Sequence, residues 1–210
     1  MPGKMFRFKV CGITNYKDAM LAIKAGAYAI GFIFAEKSPR RIGPEKARDI
    51  IAFIPPFVQT VGVFVNKDPV RVEEIMKFCG LDLVQFHGDE SPEICKRFMP
   101  RSIKAIRIKD KASLNIIQKY RGCVRAILLD TYKKEKAGGT GEVFDWSIAV
   151  EAKRFDIPII LSGGIGPENI KEAISIVRPF AIDVNSKVEI SPGKKSPLLI
   201  QRLAQELKEV

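Results

Sequence analysis

Short apolar runs and amphipathic stretches alternate from one end of the chain to the other, each bounded by glycine, proline or a small polar residue. The runs predict strands over Phe6–Cys11, Ala29–Phe34, Gln59–Val65, Leu83–Phe86, Ser102–Ile108, Arg125–Leu129, Pro158–Ser162 and Ala181–Val184. The stretches that follow predict helices over Thr14–Ala25, Pro44–Phe53, Pro69–Phe78, Ser91–Phe98, Ala112–Tyr120, Trp146–Phe155, Glu168–Val177 and Pro197–Lys208. Gly26 and Gly80 stand where helices stop, and Pro44 where one starts. The strands are continuous rather than alternating in hydrophobicity, as expected when both faces are covered. Eight strand–helix units at a spacing of roughly 20–30 residues predict an α/β protein, a single-domain (β/α)8 TIM barrel over residues 1–210. A doubly wound open sheet is the competitor, but it normally has fewer strands and would leave edges here.

Composition narrows the class. The 210 residues are 46% hydrophobic and 28% charged, which suits one globular core rather than a disordered chain. No apolar run approaches the ~18–20 residues of a membrane span. The start, Met1-Pro2-Gly3-Lys4-Met5-Phe6-Arg7, leads into a strand without a signal-like apolar region, so a cytoplasmic location is expected. Cys11, Cys79, Cys95 and Cys123 form no Cys-x-x-Cys pair and the chain has one histidine. That pattern gives neither a zinc site nor a disulfide framework, and thiols are expected. The net charge of +11 raises nucleic acid as a partner, yet the lysines and arginines are mixed with acids and form no tract interleaved with aromatics. Attraction of small anions is the simpler account.

In a barrel of this kind the chemistry sits on the loops after the strands' C-terminal ends. Those exits carry Cys11-Gly12-Ile13-Thr14, Ser38-Pro39-Arg40-Arg41, Asn66, Gln85-Phe86-His87-Gly88, Arg107, Asp130-Thr131, Ser162-Gly163-Gly164 and Asp183-Val184-Asn185-Ser186. The stretch from Ile159 to Ile170 reads as strand, tight glycine turn and helix N-terminus, a place for phosphate beside exposed N–H groups and a helix dipole. The same residues also fit an ordinary turn whose glycines only permit positive φ. Cys11 and Asp130 end the first and sixth strands, nearly opposite each other in a ring of eight, and make a candidate base and acid. A small buried hydrophobe and a capping carboxylate are the alternatives for the two. Gly138-Gly139-Thr140-Gly141, in the long loop after Asp130, reads as a lid or a plain linker.

Several motifs, in order, resemble one family: Lys9-Val10-Cys11-Gly12-Ile13-Thr14, Gly31-Phe32-Ile33-Phe34 with Ser38-Pro39-Arg40, and Val61-Gly62-Val63-Phe64-Val65-Asn66. Val84-Gln85-Phe86-His87-Gly88, Leu129-Asp130-Thr131, Leu161-Ser162-Gly163-Gly164-Ile165, and Asp183-Val184 with Val188-Glu189 and Pro192-Gly193-Lys194 continue it. The chain is similar to the phosphoribosylanthranilate isomerases of tryptophan biosynthesis. The resemblance implies an Amadori rearrangement of N-(5-phosphoribosyl)anthranilate, a phosphorylated aminosugar, with no cofactor and no metal. It implies Asp130 as the acid that opens the ribose ring and Cys11 as the base at C2. Arg40 would pair with the anthranilate carboxylate, for which a planar fork suits better than lysine. Gly163, Gly164, Asn185 and Ser186 would cradle the phosphate, and Asp183 is a weaker candidate for orienting substrate hydroxyls. His87, an obvious general base by residue type, is assigned to the pocket wall because the family does not use its matching histidine that way. Cys79, Cys95 and Cys123 are assigned to packing.

One position departs from the family: Asn185-Ser186-Lys187 stands where Ser-Ser-Gly is usual, so Lys187 stiffens the phosphate nest or adds a cation to it. The rivals are other phosphate-binding barrels, namely the histidine-pathway sugar isomerase, with aspartate where Cys11 stands, and indole-glycerol-phosphate synthase, which relies on lysines. A basic nucleic-acid-binding module is the rival from another class. The expected partners are therefore a small phosphorylated substrate, no nucleic acid and no membrane, with the chain a monomer or a homodimer.

Overall fold

A computed structural model of the chain describes residues 6–131 and 144–208. Eight parallel strands pair in sequence order and close into a barrel: β1 (Phe8–Val10), β2 (Ala29–Ile33), β3 (Gln59–Phe64), β4 (Leu83–Phe86), β5 (Ser102–Ile108), β6 (Ala126–Thr131), β7 (Ile159–Leu161) and β8 (Ala181–Val184). Closure comes from β8 lying beside β1, with Phe8 opposite Ile182, Lys9 opposite Asp183 and Val10 opposite Val184. Because side chains alternate across a strand, Phe8 and Val10 face the helices while Lys9 and Cys11 face the barrel interior. The outward set, with Ile30, Phe32, Phe64, Phe86, Ile127, Leu129 and Ile182, packs against the helices as the main core. The interior is filled separately, by Ile103, Ala105, Ala126, Leu128 and Ile160 on one side and by Cys11, Ile33 and Val63 near the strand exits on the other.

Among the described residues, seven α-helices pack around the barrel: α1 (Tyr16–Lys24), α2 (Pro44–Ile51), α3 (Pro69–Cys79), α4 (Pro92–Arg97), α5 (Trp146–Glu151), α6 (Ile170–Val177) and α7 (Pro197–Lys208). Their ends obey local chemistry. The Asn15 side chain accepts from the Asp18 N–H and starts α1 two residues later than the pattern predicts. Asp68 caps α3, and Gly80, at φ 71°, ends it in the left-handed region. The predicted helix over Ala112–Tyr120 is a 3₁₀ segment, Lys111–Tyr120, entered through a reciprocal cap between Asp110 and Ser113. The predicted helix Trp146–Phe155 tightens to 3₁₀ after Glu151 and ends at Asp156, at φ 55°.

Two differences bear on the site. β6 continues to Thr131 instead of ending at Leu129, because Arg107 and Ile108 of β5 pair with Asp130 and Thr131. Asp130 is thus held by the sheet and not by a loop. A short hairpin, β9 (Glu189–Ser191) with β10 (Lys194–Lys195), follows β8 and was not predicted; Gly193, at φ 79°, makes its turn. Among the described residues no helix is long and apolar enough to cross a membrane. Leu128→Ala empties the barrel interior and is expected to cost about 2–5 kcal/mol in urea denaturation. Leu198→Ala, at a side chain 72% exposed, is expected to stay within about 0.5 kcal/mol.

Candidate active site

The strand exits open onto a cavity of about 470 Å3. Cys11, Arg40, Asp130, Gly163, Gly164, Asp183, Asn185 and Ser186, the residues singled out in the sequence, all line it. So do Gln85, His87, Arg107, Thr131 and Ser162.

Asp130 is fixed twice. Its Oδ1 accepts from the Thr131 N–H at 2.9 Å, and its Oδ2 lies 3.1 Å from His87 Nε2. On the far side of the ring, Gln85 Nε2 lies 2.9 Å from His87 Nδ1. With the amide donating to Nδ1, the ring proton sits on Nε2 and points at Asp130 Oδ2. His87 therefore does more than line the wall. It orients Asp130, and Gln85, two residues earlier on β4, sets its tautomer by that donation. Sequence reading missed this because His87 and Asp130 are 43 positions apart.

Cys11 is buried, and burial pushes its thiol above the ordinary value while the Lys9 and Lys195 ammonium groups pull the other way. Burial prevails, and the thiol is held above its ordinary value despite the two ammonium groups. Asp183 is buried too, and its Oδ1 accepts from Lys9 Nζ at 2.8 Å. Burial raises that carboxyl against the pull of Lys9. Although burial alone would lower Lys9, Asp183 and Cys11 hold its ammonium above the usual lysine value. One oxygen of Asp183 is thus committed inside the protein before any hydroxyl arrives.

Arg40 is anchored by a residue the sequence reading gave no role. Glu189 accepts from Arg40 Nε, at 3.0 and 2.9 Å to its two oxygens, and from Nη2 at 2.7 Å. It also accepts from Lys195 Nζ at 2.8 Å, and Lys195 donates onward to Asn185 Oδ1 at 3.1 Å. Burial would raise Glu189, but the bonds from Arg40 and Lys195 hold it below the usual carboxylate range. Burial lowers Lys195. The grip takes the Nε–Nη2 edge of the guanidinium and does not involve Nη1. Gly12 is required here, since a Cβ on it would lie 2.8 Å from Asn185 Oδ1 and 2.9 Å from Arg40 Cδ.

The Gly163–Gly164 turn has φ of 83° and 71°. A side chain on Gly163 would also run into Thr131, 2.5 Å from its backbone nitrogen. The turn is braced from below: Asn169 Nδ2 donates to Gly164 O at 3.1 Å and its Oδ1 accepts from the Gly166 N–H at 2.9 Å. This use of Asn169 starts α6 at Ile170 rather than Glu168, so the helix does not follow the turn at once as the sequence suggested. An anion placed here would meet the backbone N–H groups of the turn rather than a helix end. Lys187 lays its stem on Gly166, where a Cβ would lie 2.6 Å from Lys187 Cβ; the glycine accommodates the departure noted at that position. The glycines at 138, 139 and 141, read as a lid, lie outside the described residues.

Comparison with known proteins gives the family. A family model described as N-(5'phosphoribosyl)anthranilate (PRA) isomerase matches residues 8–206. The N-(5'-phosphoribosyl)anthranilate isomerase of Geobacter sulfurreducens is 49% identical over 204 residues, covering 97% of this chain and 99% of that protein. The chain belongs to the phosphoribosylanthranilate isomerase family. The crystal structure of the Thermotoga maritima member superposes with a TM-score of 0.91 at 41% identity, covering 98% of this chain and all of that one. A second isomerase structure, solved in complex with reduced 1-(o-carboxyphenylamino)-1-deoxyribulose 5-phosphate, has a TM-score of 0.88 at 40% identity, covering 98% of this chain and 100% of that one.

Gly163→Ala is expected to lose about 1–2 kcal/mol from its left-handed backbone alone, read by urea denaturation. Inorganic phosphate, followed by calorimetric titration, is expected to bind at least tenfold more weakly to that variant.

Proposed function

We propose that this chain converts N-(5-phosphoribosyl)anthranilate to 1-(2-carboxyphenylamino)-1-deoxyribulose 5-phosphate, a step of tryptophan biosynthesis. The observation that carries the reading is the shared cavity: a buried thiol, an oriented carboxyl group and a double-glycine turn line one space in a member of this family.

Asp130, as its carboxylic acid, gives a proton to the ribose ring oxygen. The C1–O bond breaks as the anilino nitrogen lone pair forms the C1=N bond. Cys11, as a thiolate, takes the proton from C2, the C–H electrons become the C1=C2 bond, and the nitrogen recovers its pair in the enolamine. Protonation at C1 and loss of the C2 hydroxyl proton give the ketone. The step balances with one acid and one base and consumes no oxidant or reductant. His87 supports Asp130 in this scheme by holding the oxygen that does not bond the Thr131 N–H. Arg40 takes the anthranilate carboxylate on the edge that Glu189 leaves open, and Arg107 adds positive charge to the same cavity. Gly163, Gly164, Asn185 and Ser186 hold the phosphate, and the free oxygen of Asp183 is available to a ribose hydroxyl.

The catalytic unit in this reading is the single barrel of residues 1–210, working in the cytoplasm with its cysteines as free thiols. Loss of the substrate's fluorescence on adding the protein tests the reaction directly. No turnover, or turnover of the histidine-pathway aminosugar instead, contradicts it. Cys11→Ser and Asp130→Asn are each expected to cut kcat by roughly two orders of magnitude while leaving affinity for a phosphate analogue nearly intact. Full turnover in either variant removes that residue from its role.

A further inference from the structure

Cys11 must act as a thiolate, yet its sulfur is buried, and burial favours the neutral thiol. Positive charge has to reach it inside the barrel. Lys9 sits two residues earlier on β1, so its side chain enters the interior on the same side as the sulfur. It is 6% exposed, with Nζ 2.8 Å from Asp183 Oδ1, and the charge on its ammonium acts on the Cys11 thiol. Gly31, across the β1–β2 pairing, makes the juxtaposition possible. A Cβ there would lie 2.8 Å from Cys11 Sγ and 3.0 Å from Lys9 Cε. Space, not backbone conformation, requires that glycine.

Stability does not explain the pair. A buried lysine–carboxylate couple gains little over apolar side chains of the same volume, because desolvation offsets its attraction. The interior one layer away is apolar, as Leu128 and Ile160 demonstrate. The charged groups facing the sulfur are Lys9 from its own strand, Asp183 from β8 and Lys195 from β10. Lys195 is already committed to Glu189 and Asn185.

We propose that Lys9 is a positioning residue of the isomerisation: Asp183 anchors its ammonium beside Cys11, and that fixed charge sustains the thiolate that removes the C2 proton. The proposal rests on Cys11 being the base. It gives Asp183 a second task besides any contact with substrate, as the anchor of Lys9.

The test is alkylation of Cys11 by iodoacetamide as a function of pH, followed on the Cys11 peptide by mass spectrometry, together with kcat and KM. Lys9→Met is expected to react about tenfold more slowly at pH 8, as for a one-unit rise in the thiol's pKa, and to regain the rate at higher pH. Its kcat should fall with KM nearly unchanged. If Lys9→Met does not fold, Lys9→Met/Asp183→Asn, which removes charge and counter-charge together, decides: a folded double variant must also react more slowly than wild type. Mere loosening of the packing would expose the sulfur and speed the reaction. A folded variant alkylated at least as fast as wild type at pH 8 overturns the role of Lys9. Wild-type protein that fails to turn over the substrate overturns the isomerase reading itself, whatever the alkylation rates.

Discussion

Closing the sheet at β1 and β8 sets Lys9 opposite Asp183 and Val10 opposite Val184. A slip of one residue along that seam would turn Lys9 and Cys11 out among the helices and bring Phe8 and Val10 inside. Apolar packing on the outer face forbids the slip, since Phe8, Val10, Ile182 and Val184 are all buried there. Hydrophobic burial on one face thus fixes the chemistry on the other. The same logic holds at β5 and β6, where the pairing of Arg107 with Asp130 carries the carboxyl group to the rim on a strand rather than a loop.

The rim is assembled from side chains that hold one another before any substrate is present. Glu189 clamps Arg40, Lys195 ties Glu189 to Asn185, Gln85 orients His87, and His87 orients Asp130. Groups fixed in this way need little reorganisation during the reaction, which is how electrostatic preorganisation contributes to rate. Glycines at 12, 31 and 163 serve the same end from the backbone side. Each leaves a space that a neighbouring side chain or main chain occupies.

What the sequence displayed follows from these causes. Periodicity exposed the eight strands and most helices, because burial on the outer face writes a continuous apolar run. The polar residues that line the cavity were legible because they sit at strand ends, where an apolar run gives way to a polar group. The connections among them were not. Glu189 and Arg40 are 149 positions apart, and nothing local marks Glu189 as their junction. Lys9 did leave a sign, a lysine between Phe8 and Val10 in an otherwise apolar strand two residues before Cys11. That alternation places lysine and thiol on one face, but only the closed register supplies the carboxylate opposite. The start of α6 was misplaced because Asn169, read as part of the helix start, braces the glycine turn instead.

The most direct measurement of the central claim is a crystal structure with the reduced reaction product bound. The account predicts phosphate oxygens on the backbone N–H groups of Gly163 and Gly164, the carboxylate on Arg40, and Cys11 and Asp130 on opposite sides of the sugar carbons. A product lying with its phosphate elsewhere, or with either side chain turned from the sugar, would contradict it.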